Sequence, residues 1–224
     1  WFLYMIAGMA ELSATATYVN FWLPDFPQWL TILICILVII TVNLINVSFY
    51  GESEYWASFI KITAICCMIV FGLYLIFTTM GPFPQNFSNL WVNGGFFPNG
   101  AWGFAASLVV VMFSFGGVDL IGITAGEAEN PEKTLPKAIN QILIRILIFY
   151  IGTMVVLMSL SSWDQVGLQG SPFVQIFSNI GIPAAANILN FVVIVAALSV
   201  YNSSLYSTSR ILHNLAQNGN APKM

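Results

Sequence analysis

Phe113-Ser114-Phe115-Gly116-Gly117-Val118-Asp119-Leu120-Ile121-Gly122-Ile123-Thr124 sits in the middle of an apolar run that begins near residue 101. Paired glycines weaken a helix and permit backbone angles closed to other residues. In a hydrocarbon solvent a broken helix survives only where it is buried in protein or lines a cavity. There it offers free N–H and C=O groups and half-helix dipoles, which suit a zwitterionic ligand. A glycine pair also serves close helix packing. The neighbouring Asp119 carboxylate and Thr124 hydroxyl favour a binding site.

The solvent around this stretch follows from composition. Of 224 residues, 58% are hydrophobic and 7% are charged, with a mean hydropathy of +0.83. A soluble domain carries roughly 25% charged residues, so too little polar side chain is present to cover a water-facing surface. The net charge of −3 and the lack of any basic run give no footprint for nucleic acid. Cys35, Cys66 and Cys67 lie in apolar runs without metal or redox spacing and read as small buried hydrophobes. The chain opens inside an apolar segment at Trp1 and closes on a polar stretch, which leads us to expect a piece of a longer protein.

A spanning helix needs about 20 mostly apolar residues. Segments at 1–22, 28–49, 54–79, 101–127, 138–160 and 183–215 meet or approach that length, the fourth being interrupted. They read as a single transmembrane domain over residues 1–224. Ser171-Pro172 in the loop at 161–182 has the form of a helix start, so a short surface helix is expected there. The loops at 23–27, 80–100 and 161–182 contain no Lys or Arg. Lys133, Lys137 and Lys223 fall on the opposite side, with Lys61, Arg145 and Arg210 toward it. The bias of positive charge toward cytoplasmic loops puts that side in the cytoplasm. Trp22, Trp29, Tyr50, Tyr55, Trp56, Trp91, Trp102 and Trp163 mark an interfacial belt that anchors without implying chemistry.

Ionisable groups within a span are costly and need a partner or a task. Glu11 lies about 15 Å into the first segment, too deep for its side chain to reach water. It shares a helical stripe with Gly8, Thr15 and Tyr18, and reads either as proton or substrate handling or as hydrogen-bonding glue. Lys61 lies about two turns into the third segment, where a long stem permits snorkelling. Ser199, Asn202, Ser203, Tyr206 and Ser209 form a polar face ending at Arg210, which suits an interhelical seam or coordination of a cation or substrate. His213 is the only histidine and has no Cys or Asp cluster beside it; nothing resembles an enzyme's nucleophile, metal set or phosphate cradle, and no cofactor is expected.

The stretch from Phe113 to Lys133 strongly resembles the amino-acid permeases of the amino acid–polyamine–organocation superfamily. So do Gly8-Met9-Ala10-Glu11-Leu12-Ser13-Ala14 and the tail from Tyr201-Asn202-Ser203 to Ala221-Pro222-Lys223, with bacterial permeases for aromatic and other neutral amino acids most similar. The resemblance implies an all-α polytopic membrane fold, part of a LeuT-like inverted-repeat (five plus five) transporter, of which this chain covers spans three to eight. The fourth segment then corresponds to an unwound span. Phe115, Gly116, Gly117, Val118 and Asp119, followed by Ile121 and Thr124, become the implied substrate-binding residues. Asp119 stands where relatives more often carry Glu, so its reach is one methylene shorter. Lys61 matches a lysine that stands in for a sodium ion in sodium-independent relatives, and Lys61, Glu11 and Ser203 become the implied ion-coupling residues. The implied activity is secondary active, proton-coupled uptake of amino acids across the bacterial inner membrane by alternating access. A passive channel needs a continuous polar pore, which sparse, clustered polar groups do not supply; a non-transporting structural subunit is the remaining alternative.

Overall fold

The computed structural model describes residues 1–45, 47–78, 87–95, 97–116, 130–165 and 170–222. The chain is all-α: α1 is Phe2–Val19, α2 Gln28–Ile45, α3 Val47–Thr78, α4 Gly100–Ser114, α5 Pro131–Arg145, α6 Thr153–Leu160, α7 Pro172–Asn179 and α8 Pro183–Gln217. A π-helical segment, Ile146–Gly152, joins α5 to α6, and short 3₁₀ turns lie at Phe87–Leu90 and Trp163–Gln165. Among the described residues, the helical runs 51–78, 132–160 and 183–217 are long and apolar enough to cross a membrane, while 28–44 and 100–112 are apolar but shorter.

Lipid as solvent explains what these helices expose. Trp102 is 85% exposed, Met112 and Phe77 each 74%. The deepest positions, in turn, include hydroxyls. Thr15, Ser159 and Ser207 are essentially fully buried, and each donates to a carbonyl four residues earlier, those of Glu11, Val155 and Ser203. A hydroxyl satisfied by its own helix can be packed in a core at little cost.

The residues group into two compact units, 1–64 with 167–224, and 65–166. In the first, α1 packs along α8 and α2, and α7 packs on α8. Gly8 makes the α1–α8 approach possible, since a side-chain carbon there would lie 3.2 Å from the Tyr201 ring. Buried Asn190 donates to the Tyr18 carbonyl (2.9 Å), one of the acceptors left open at the end of α1. Trp22 Nε1 donates to Asn187 Oδ1 at 2.7 Å beside it. α7 starts as its sequence suggests, with Ser171 preceding Pro172 in the first turn.

In the second unit, Gly72 of α3 lies against Val156 and Leu160 of α6. Asn130, at φ +55°, takes the left-handed conformation that Asn tolerates and starts α5 at Pro131. Glu132 in the first turn of α5 and Arg145 in its last complement the helix dipole. The loop segments are tied together by Asn93, whose amide donates to Ser162 and, at 2.8 Å, to Asp164, while Trp163 Nε1 donates to the Asn93 carbonyl. The Ser162 hydroxyl, followed by the backbone and Asn93 amides, holds the exposed Asp164 carboxyl below the usual carboxylate range.

Candidate functional site

Seven residues separate Glu54 from Lys61, so both side chains leave α3 on one face about 10 Å apart along the axis. That face meets α8 in the first unit. Lys61 Nζ donates to Ser199 Oγ at 2.8 Å, and Ser199 Oγ donates to Glu54 Oε2 at 2.5 Å. Asn202 Nδ2 donates to the other carboxylate oxygen, Oε1, at 2.7 Å. Asn43 of α2 donates to Asn202 Oδ1 (2.6 Å) and to its own helix at the Ile39 carbonyl (2.9 Å). Three helices thus converge on one ammonium and one carboxylate. Ser199 and Asn202 are 6% and 3% exposed, while the charged side chains of Glu54 and Lys61 are each half-buried. A charge in such surroundings is tolerable only with partners of this kind.

The sequence-derived candidates fall into separate places. Lys61 is held as described. Ser203 lies next to Asn202 on α8 and supplies the carbonyl that accepts from Ser207. Glu11 sits half-buried at the edge of the α1 face formed by Gly8, Leu12, Thr15 and Ala16, outside the set around Lys61. Phe115 and Gly116 form a turn directly after α4 ends at Ser114. Gly117, Val118, Asp119, Ile121 and Thr124 lie outside the described residues.

In the second unit, the turn after α4 has one clear neighbour. Tyr150, within the π segment, donates its hydroxyl to the Ser114 carbonyl at 3.1 Å. That carbonyl is one of those a helix leaves without an internal partner at its C-terminal end. The Tyr150 ring also stacks on Phe115, centroids 5.2 Å apart with 27° between planes. A π turn widens the helix locally and shifts the phase of the side chains after it, a device frequent at functional sites.

Glu54, Asn43 and Tyr150 were not among the residues singled out from sequence. For Glu54 a signal existed in its seven-residue spacing from Lys61. For Asn43 and Tyr150 the signal is the crossing of helices, which no single segment displays. A separate cavity of about 240 Å³ lies at the end of α1 beneath α7, lined by Tyr18, Phe21, Ser171, Gln175 and Asn190 among others, and it shares no residue with the ammonium–carboxylate set.

The sequence model for amino acid permeases matches residues 1–224, the whole chain. The chain belongs to the amino acid permease family. Relatives include the aromatic amino acid transport protein AroP of Escherichia coli K12 and that of Salmonella typhimurium LT2, each 50% identical over all of this chain. The uncharacterized transporter YdgF of Bacillus subtilis 168 is 47% identical, again over the whole chain. In each case the chain spans 49% of the relative's length. No solved structure matches this permease chain. Membership of this family, together with the apolar helices, makes it a multi-pass membrane protein.

Proposed function

We propose that this chain is the central part of a secondary active amino-acid transporter of the bacterial inner membrane. It moves its substrate without converting it, coupled to a proton, by alternating access. The observation that carries this reading is the hydrogen-bonded set of Asn43, Glu54, Lys61, Ser199 and Asn202 inside an otherwise apolar bundle. An ammonium placed there is expensive unless its charge is used. Family membership supports amino acids as the cargo, and the name carried by the AroP relatives supports aromatic ones. The α-amino and α-carboxyl groups of the substrate are taken to bind the backbone around Gly116 and Gly117, with Val118, Asp119, Ile121 and Thr124 on the same stretch and the side chain against Phe115.

The test is a competition panel on the complete protein in proteoliposomes, with unlabelled amino acids displacing labelled phenylalanine. Aromatic amino acids are expected to compete best and charged ones not at all. Failure of every amino acid to compete would remove the reading.

The Phe115–Tyr150 stack makes a narrower expectation. Tyr150→Phe keeps the ring and deletes only the bond to the Ser114 carbonyl, worth about 1 kcal/mol. KM for phenylalanine is expected to rise about fivefold with the protein level unchanged. An unaltered KM would show that the end of α4 does not depend on this hydroxyl.

A further inference from the structure

We propose that Ser199 and Glu54 form a proton relay with Lys61, in which the Glu54 carboxylate receives the proton that the Lys61 ammonium releases. The inference rests on reading Lys61 as the coupling cation and extends it by naming where the proton goes.

Lys61 and Glu54 share a face of α3, yet the contact between them runs through a third side chain. The Ser199 hydroxyl accepts from Nζ at 2.8 Å and donates to Oε2 at 2.5 Å. A hydroxyl is suited to this place because it donates and accepts through one atom. The remaining members are oriented to serve the carboxylate and carry no exchangeable charge. Asn202 holds Oε1, and Asn43 holds Asn202. The charged members of the set are therefore Lys61 and Glu54, both from α3, with α2 contributing only Asn43 and α8 only Ser199 and Asn202.

The transfer balances without any other reactant. A proton passes from Lys61 Nζ to Ser199 Oγ as the original hydroxyl proton passes from Oγ to Glu54 Oε2. Ammonium and carboxylate become amine and carboxylic acid, and the serine is unchanged. Afterwards the same bonds run in reverse: the Glu54 acid O–H donates to Ser199, and the Ser199 O–H donates to the Lys61 nitrogen. No charge is left without a partner in either state, which is what an apolar surrounding demands. Glu54 lies about two turns nearer the N-terminal end of α3 than Lys61, although the bonds through Ser199 bring their charged ends close together. The distribution of Lys and Arg puts that end at the cytoplasm, so the relay advances the proton toward the side where it must be released.

The experiment compares two assays on the complete protein in proteoliposomes: accumulation of labelled phenylalanine driven by an imposed pH gradient, and counterflow exchange, which needs no net proton movement. The ratio of the first to the second is the readout. Ser199→Ala and Glu54→Gln are each expected to lower it at least tenfold, and Ser199→Thr, which restores a hydroxyl, to return it to within about threefold of the wild type. Glu54→Gln keeps the shape and the Asn202 contact, so its result decides the matter if Ser199→Ala does not fold. Ratios within twofold of the wild type for the deletion variants, or a Ser199→Thr value no better than that of Ser199→Ala, would overturn the relay. A wild type that exchanges phenylalanine but never accumulates it under a pH gradient would instead show that proton coupling itself is wrong, and the relay would fall with it.

Discussion

Lys61→Ala in the complete protein is expected to lower pH-driven accumulation of amino acid at least tenfold. The deletion removes the only cation in a set whose other members are a carboxylate, a hydroxyl and two amides. Removing one partner of a fully buried ion pair costs about 3–5 kcal/mol. Here both groups are half-buried and joined through Ser199, so the cost is smaller than for a fully buried direct pair. The Glu54 carboxylate would keep its bonds from Ser199 and Asn202 while losing its counter-charge. The coupling cycle would then have no ammonium from which to release a proton. The check is the initial rate and the plateau of uptake under an inward proton gradient, normalised to protein in the membrane. Undiminished pH-driven uptake would remove Lys61 from the mechanism and leave it as an ammonium reaching toward the interface.

The second large effect concerns assembly. Gly72→Leu is expected to leave no monodisperse protein after detergent extraction, and Gly72→Ala to lower the melting temperature by several degrees. A side-chain carbon at Gly72 would stand 2.3 Å from Val156 Cγ1 and 3.3 Å from Leu160 Cδ1. Val156 and Leu160 are each 2% exposed. A valine in a helix has essentially one side-chain rotamer, so Val156 cannot swing aside and the helices themselves must part. Overpacking of this kind costs about 1–3 kcal/mol for a methylene and more for a whole leucine, and each kcal/mol is worth roughly 2–4 °C at this size. Gly51 is the matched control, because nothing lies within 4 Å of a carbon added there. Gly51→Ala should melt at or slightly above the wild type, as alanine favours the helix by about 1 kcal/mol. Fluorescence-detected size exclusion after heating reads both. A Gly72→Leu protein that melts with the wild type would show that α3 and α6 do not pack at this glycine.

The two expectations differ in how far each was written in the chain. An all-α membrane protein was legible because composition alone leaves no water-facing surface, and because long apolar runs are separated by Pro, Gly and Asn. The family was legible from the stretch around Gly116 and Gly117. Lys61 stood out because a charge in an apolar run is conspicuous. Ser199 and Asn202 were legible as part of a polar face of α8, but nothing local to that helix says that Ser199, 138 residues from Lys61, meets the ammonium and Ser203 does not. Glu54 was overlooked for a different reason: near the start of a span a carboxylate looks like a solvated end, and only the meeting of α3 with α8 gives it Ser199 and Asn202 as partners. The π segment at 146–152 was hidden because its bonding pattern leaves no mark in Ile-Leu-Ile-Phe-Tyr-Ile-Gly. Close approach at Gly72 was equally silent, since a glycine in a helix announces a packing role only once its neighbour is known.

The most direct measurement for the account as a whole is accumulation of labelled phenylalanine by the complete protein in sealed proteoliposomes with an alkaline interior. The interior concentration should rise above the exterior one and collapse when a protonophore dissipates the gradient. Phenylalanine that only equilibrates across the membrane, with the protonophore making no difference, would contradict proton-coupled transport and leave a passive pathway in its place.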